Sequence, residues 1–594
     1  MPKRLKILLI DPANPGHYFK PSKIDTRLLW FSRLTLAQVA ALTPPEFEVA
    51  ITDENVDTLD LNLDADLIGL TAMTQHAPRA YQLAKHFRAR GIPVVMGGVH
   101  ATMLPEEAKQ HVDAVAVGEA EGVWEELLRD FAAGSLKPFY KAQERPSLEG
   151  LPHPRRDLLN SKAYATVNCM ETSRGCPFDC EFCSVTAFAG GTFRMRPVRE
   201  VIEEIERMQA KNIVFIDDNI VGNPRYAKEL FEALIPLKIH WGGQASTTIA
   251  RNKELLELAR KSGCFSLFLG IESLSQETLQ SANKSFNHAM SYEDEFKKIH
   301  DSGLRMIGSF IFGFDSDDEG VFERTVSFVK KNRIDIAYYN ILTPLPGTKL
   351  FERLKSEGRL LHQDWERYNG YEVVYRPKIL TPETLEEGFH WAYRQTYSYP
   401  SILRRVVWRP NVQSALGAVW AYTVNWGFHH VAQKGPEGRI SQAGKLLGQL
   451  ESTVRIKEKA GLLPVLSQEF QLLKSRGTKA LEEAKSYLRI HAFREESLST
   501  LTVRLSGALD TRAIRALMRR LTRTARQSQE KIVVDLSGLA FCSERAFHRL
   551  SIQKERLSKS LGDRLSFESL KSLAESVGEA SFGAYDPTSE APRP

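Results

Sequence analysis

Cys176-Pro177-Phe178-Asp179-Cys180-Glu181-Phe182-Cys183 sets three thiols at spacings of four and three residues within one tight loop. Such a loop can hold three corners of an iron–sulfur cube and leave the fourth iron open. A closed electron-transfer cluster takes four thiolates, whereas an open coordination position is where a catalytic metal binds a reactant. The competing reading is a structural zinc site with Cys169 as fourth ligand. Zinc sites of that kind usually pair their cysteines two by two at separated knuckles.

The loop sits inside a strand–helix alternation. Apolar runs at 167–172, 212–217, 239–245, 266–271, 305–312 and 336–340 read as strands. Six such units describe a (β/α)6 partial barrel over residues 161–360, with the cysteine loop after its first strand, on the carboxyl face where barrel enzymes keep their chemistry. A second alternation precedes it, with strands at 5–10, 47–52, 67–71, 94–97 and 114–117 and a helix at 77–90. Continuous apolar strands between amphipathic helices imply a parallel sheet covered on both faces. Residues 1–135 are therefore expected to form a Rossmann-like, doubly wound domain that binds its ligand at the carboxyl ends of its strands.

Residues 136–160, proline-bearing and aperiodic, read as a linker. Residues 361–432 read as a helical, aromatic-rich extension and 433–485 as a polar helical linker. At 486–580 strands (488–493, 500–505, 532–536) alternate with helices (511–526, 544–557), which describes a small C-terminal α/β domain. The Pro-, Ser- and Ala-rich tail 581–594 is expected to be disordered. The fold class is α/β throughout.

Composition bounds the rest. At 594 residues, 42% hydrophobic and 26% charged, the chain reads as globular, and the net charge of +6 neither demands nor excludes an anionic partner. Six cysteines, three of them clustered, make no disulfide framework, and a reducing cytoplasm is expected. The basic start is followed by an apolar run that ends at Asp11, too short for a signal peptide. The longest apolar stretch, 415–428, falls below the roughly 20 residues of a spanning helix.

The cysteine run resembles that of the radical S-adenosylmethionine superfamily, and residues 161–360 resemble its barrel. The resemblance implies a 4Fe–4S cluster on Cys176, Cys180 and Cys183 whose open iron chelates S-adenosylmethionine, with Phe182 near the adenine. It implies that Asp217-Asp218-Asn219 holds the methionine amino group and that Gln244, Ser246 and Glu272 face the ribose. The backbone around Phe312 and Gly313 would edge the adenine. An electron from the reduced cluster would then cleave S-adenosylmethionine to methionine and a 5′-deoxyadenosyl radical. The protein's share is geometry and exclusion of water.

Residues 1–135 resemble the cobalamin-binding domain that precedes the barrel in one subclass. On that resemblance Asp11, Thr71, Thr74, Gly97, Gly98, Gly118 and Glu119 face cobalamin. The family's Asp-x-His-x-x-Gly loop reads Asp53-Glu54-Asn55-Val56-Asp57-Thr58 here, so Asn55 stands where a cobalt-ligating histidine would, and the lower face is expected to be unligated by histidine.

Residues 368–409 are similar to extensions in members acting on polycyclic or long-chain lipids. Arg404, Arg405 and Arg409 before the Trp-containing stretch could form an interfacial helix on anionic lipid, or a helix packed at the barrel mouth with ordinary surface arginines. The C-terminal domain resembles anti-sigma-factor-antagonist (STAS-like) domains. Ser543 lies where these carry a phosphorylatable serine, but Cys542 and Arg545 replace the usual Asp and Gly, which leaves a protein-docking module.

The resemblance implies methyl transfer or C–C bond formation at an unactivated carbon of a hydrophobic, lipid-like substrate. The same cofactors would serve a radical cyclase or oxidase; a reading of a different class is a regulatory binding protein that retains the fold. Expected partners are a small-molecule or lipid substrate, a reductant such as flavodoxin or ferredoxin, a protein at the C-terminal domain and peripheral contact with the inner membrane face, with no nucleic acid.

Overall fold

The computed structural model describes residues 4–13, 29–407, 415–432, 488–495, 500–509, 531–542 and 565–568. The chain divides into two compact units, Met1–Ile456 and Lys457–Pro594.

The first unit begins with strands β1 (Leu5–Asp11), β2 (Leu29–Phe31), β3 (Phe47–Asp53), β4 (Leu67–Thr71), β5 (Val94–Gly97), β6 (Ala114–Val117) and β7 (Phe139–Lys141). Apart from β2, they form one parallel sheet in the order β3-β1-β4-β5-β6-β7. Side chains alternate between two apolar layers: Ile68, Leu70 and Met96 pack with Leu83 and Phe87 on one face, and Ile7, Leu9 and Val95 pack with Leu36, Trp124 and Leu127 on the other. This double burial is why the strands read as continuous apolar runs. The strand order reverses between β1 and β4, which opens a ligand crevice at their carboxyl ends. The expected linker at 136–160 is in part a strand, because β7 pairs in parallel with β6 and closes that edge.

The barrel follows with β8 (Tyr164–Thr166), β9 (Cys169–Met170), β10 (Ser173–Gly175), β11 (Phe193–Met195), β12 (Asn212–Phe215), β13 (His240–Ala245), β14 (Cys264–Glu272), β15 (Arg305–Phe312) and β16 (Ile336–Ile341). Strand β8 pairs with β2, while β9 and β12 to β16 make a six-stranded parallel sheet in sequential order, an open partial barrel. The strand expected at 167–172 is interrupted. Only Cys169–Met170 joins the sheet, and Ser173–Gly175 turns away to pair antiparallel with Phe193–Met195. The buried Asp217 carboxylate accepts the Thr172 N–H and the Thr172 and Ser173 hydroxyls at the break.

An open barrel leaves β16 as an edge whose backbone groups need partners. The helix Pro382–Thr396 and the residues after it supply them. Tyr397 Oη accepts from Ala337 N–H (3.1 Å) and donates to Ala337 C=O (2.7 Å); Tyr393 Oη does the same for Tyr339 (3.1 and 3.0 Å). The helix Ala415–Ala432 packs Val424 and Phe428 into the same core. The interfacial reading fails at Arg405. Its guanidinium is wholly buried and donates to the carbonyls of Ile334, Asp335 and Thr396 and to Asn425 Oδ1, so it faces the barrel and not lipid. Arg409 lies outside the described residues. No described helix is long and apolar enough to cross a membrane.

In the second unit, β17 (Leu488–Glu495), β18 (Thr500–Leu509), β19 (Lys531–Cys542) and β20 (Leu565–Glu568) form a mixed sheet in sequential order. The first pair is antiparallel and the other two parallel. The helices expected at 511–526 and 544–557, Ser543, Arg545, the linker 433–485 and the tail 581–594 lie outside the described residues.

Candidate active site

The ribbon β10–β11 carries the cysteine loop. Gly175, directly before Cys176, adopts φ +87°, and a Cβ there would stand 2.0 Å from the Thr192 carbonyl. Its N–H donates to Asp218 Oδ2 (3.0 Å), which ties the loop's entry to the end of β12. On the far side, Arg353 links Glu181 of the loop (2.8 Å) to Asp315 (2.9 Å), and Phe178 stacks on Phe286 (3.5 Å between centroids).

Cys180 is buried, whereas Cys176 and Cys183 are partly exposed. Burial pushes the Cys180 thiol up to about 12 and raises Cys176 as well. Lys284, almost completely buried, faces these sulfurs and pairs with Glu272 Oε1 (2.7 Å). Burial would lower Lys284, but Glu272 and Cys180 outweigh it and hold the ammonium charged.

Three thiols from one loop beside a fixed cation suit an iron–sulfur cube, which takes one thiolate per iron and displaces the protons that burial retains. Zinc needs donors that converge on one point. Cys169, the fourth ligand the zinc reading names, is wholly buried in β9 with its thiol beside Ser32.

The structure gathers most of the expected S-adenosylmethionine residues around the loop. Asn219 Nδ2 lies 3.9 Å from Cys176 Sγ while Asn219 Oδ1 accepts the Ser246 N–H (3.1 Å). Gln244 Nε2 donates to the Asp218 carbonyl (2.9 Å), and burial pushes the Asp218 carboxyl up to about 6. Glu272 adopts φ +64°, a left-handed conformation uncommon for a side-chain-bearing residue, held by Lys284. Phe182 packs edge-on against Phe314. Gly313 lies at φ +102°, its N–H bound to Asp317 and its carbonyl to the Tyr375 hydroxyl.

The Asp217 carboxylate is engaged at the strand break, and the Phe312 side chain is buried against Phe322 and Tyr339, which leaves its backbone as the part expected beside the adenine. No sequence motif marks Lys284 or Asn287, whose Nδ2 donates to the Gly270 carbonyl (2.9 Å).

In the first sheet the crevice edge is small and partly open. Thr74 is buried, Gly98 at φ +91° leaves no room for a Cβ beside Thr71 Oγ1 (2.7 Å), and Gly118 at φ +89° has nothing within 4 Å of where a Cβ would be. Such a shelf of glycines admits a large planar ligand, and cobalamin fits it. Asp11 is engaged by Arg33 (2.8 and 2.9 Å), and burial pushes its carboxyl up to about 7. Asn55 Nδ2 donates to Asp53 Oδ1 (2.7 Å), a local turn contact. Glu119 turns toward the barrel, where Arg174 (2.7 Å) and Arg194 bind it. Burial would raise its carboxyl, but those hydrogen bonds hold it below the ordinary value.

A doubly wound domain with a glycine shelf, joined to an open barrel with a three-cysteine loop, defines a cobalamin-binding radical enzyme. The chain belongs to the radical S-adenosylmethionine superfamily, in its cobalamin-dependent methyltransferase group. The radical SAM superfamily profile matches residues 170–329 and the B12-binding domain profile residues 32–128. The chain is 35% identical over 413 residues to bacteriochlorophyllide d C-12(1)-methyltransferase of Chlorobaculum tepidum, covering 68% of this chain and 89% of that protein. It is 29% identical over 396 residues to the C-8(2)-methyltransferase of the same organism, covering 64% and 88%. The fold matches the radical S-adenosylmethionine methyltransferase TsrM of Kitasatospora setae, solved with cobalamin and a 4Fe–4S cluster, at TM-score 0.54 and 12% identity over 76% of this chain and all of that one.

Proposed function

We propose that this chain transfers a methyl group to an unactivated carbon of a hydrophobic macrocycle. The observation that carries this reading is the meeting of the two carboxyl edges: Glu119, at the end of β6, binds Arg174, two residues before Cys176. A crevice for a methyl donor and a loop for radical generation therefore open toward a common space. Bound there, the cluster with S-adenosylmethionine supplies a hydrogen-abstracting radical, and cobalamin supplies the methyl group. A reductant is needed for the first of these, and a flavodoxin or ferredoxin suits it.

The chain's residues position and enclose. Cys176, Cys180 and Cys183 would hold the cluster, with Asn219, Gln244, Ser246, Glu272 and Lys284 around S-adenosylmethionine and Phe182 with Phe314 beside its adenine. Thr71, Thr74, Gly97, Gly98 and Gly118 would border cobalamin. On the strand face opposite Ile213, Trp241, Leu267 and Met306 of the core, Val214 pairs with Gly242 and Phe268 with Ile307, and the Phe268 and Tyr338 rings lie 6.1 Å apart. Those side chains exclude water and favour an apolar substrate. The relatives named for methylating bacteriochlorophyllide d support the same class.

The test is anaerobic turnover of the reconstituted protein with methyl-labelled S-adenosylmethionine and bacteriochlorophyllide d. Label in the macrocycle, with 5′-deoxyadenosine and S-adenosylhomocysteine formed one for one, is the expected result. Formation of 5′-deoxyadenosine and an altered, unlabelled macrocycle would replace methyl transfer by cyclisation or oxidation.

A further inference from the structure

Arg174 and Arg194 sit directly opposite one another on the β10–β11 ribbon. Like charges in that arrangement repel. The charge that neutralises them comes from the other sheet. Glu119 Oε2 accepts from Arg174 Nη1 (2.7 Å) and Arg194 Nη1 (3.1 Å), and Oε1 accepts from Arg194 Nη2 and from Arg145 Nη1 (3.4 Å). Arg174 also donates to Glu121 (2.7 Å) and Glu171 (2.8 Å), so three carboxylates and three arginines form one closed cluster.

Each end of this cluster is rigidly tied to a cofactor region. On one side Glu119 follows Gly118, whose N–H donates to Thr102 Oγ1 (2.9 Å) and whose Cα faces open space on the glycine shelf. A ligand lying on the shelf would meet the backbone at 118–119 directly. On the other side Arg174 is joined to Cys176 through Gly175, whose N–H is held by Asp218 and which has no room for a Cβ beside the Thr192 carbonyl. Neither end has slack, and a buried ion pair broken on one side leaves an uncompensated charge.

We propose that Glu119 and Arg174 are positioning residues that couple the two cofactor sites, so that occupancy of the cobalamin crevice changes how the cysteine loop binds S-adenosylmethionine. This rests on the cofactor reading above but on no substrate. The experiment measures S-adenosylmethionine affinity of the full-length, anaerobically reconstituted protein, with its cluster kept oxidised so that none is consumed, with and without hydroxocobalamin. The wild type should show an affinity ratio of about 5 or more, within the usual range of coupling between sites. Glu119→Gln should bring the ratio to about 1. Arg174→Lys, which keeps the charge and loses the planar fork, should do the same and decides the matter if the first variant does not fold. Arg129→Gln, which removes an exposed charge paired with Glu125 outside the cluster, should leave it unchanged. The Mössbauer spectrum of the oxidised, isotope-enriched cluster with S-adenosylmethionine should change on adding hydroxocobalamin in the wild type and not in Glu119→Gln, a signature that a merely structural contact would not move. A wild-type ratio of 1, or a ratio that survives in both ribbon variants, overturns the coupling. A protein that retains no cobalamin, seen from its visible absorption, overturns the cofactor reading and the coupling with it.

Discussion

Gly175→Ala should strip the protein of iron while leaving the barrel folded. The native φ of +87° lies in the left-handed region, which costs a side-chain-bearing residue about 1–2 kcal/mol. The new Cβ would also stand 2.0 Å from the Thr192 carbonyl, a backbone atom that no rotamer change can move aside. The clash is relieved only if the ribbon separates. That forfeits the pairing of Ser173–Gly175 with Phe193–Met195 and the Gly175 bond to Asp218, at roughly 0.5–1.5 kcal/mol per hydrogen bond. The sum, about 3–5 kcal/mol, is large against the local stability of a loop and small against the barrel's core. After anaerobic reconstitution, iron should fall from about four per chain to under one, with circular dichroism and thermal midpoint close to wild type. A variant that binds its full iron would show that the loop's entry geometry is not what sets the three thiols in place.

The edge-strand closure predicts that Tyr397→Phe, which leaves the Ala337 N–H and C=O unpaired in the core, costs about 2–4 kcal/mol; an unchanged urea midpoint would refute it. Burial alone would raise Asp315, but hydrogen bonds from Arg359 and Arg353 hold it near 2. Its folded value is depressed, so its stabilisation is present above about pH 4, the unfolded value, and is lost as pH falls toward 2. Asp315→Asn should therefore lack that increment, and the gap between apoprotein and variant midpoints should narrow across that window. Cob(II)alamin bound to the protein should show no nitrogen hyperfine splitting from a histidine, since Asn55 is turned onto Asp53; a histidine signal would contradict the crevice geometry. A chain ended after Ile456, where the second unit begins, should keep iron and 5′-deoxyadenosine formation, and loss of the latter alone would make the C-terminal domain part of the catalytic unit.

The amino-acid sequence by itself determined the chemistry's ingredients. The four-and-three spacing of Cys176, Cys180 and Cys183 is local, and apolar runs such as Leu67–Thr71 and Arg305–Phe312 announce parallel strands at their observed bounds. Asn55 in place of histidine is equally a one-dimensional fact. What lay beyond it depends on partners distant in the chain. Which buried rings the Phe312 side chain meets, Phe322 and Tyr339, depends on how β15 is covered. Arg405 looks like a surface cation until the fold supplies carbonyls 71 and 70 residues away. Glu119 reads as a crevice residue, and only the packing of two sheets shows its carboxylate balancing two arginines 55 and 75 residues further on. Pattern along a chain reports which face is apolar; which charge meets which across an interface is set by packing, because an ion pair has no sequence period.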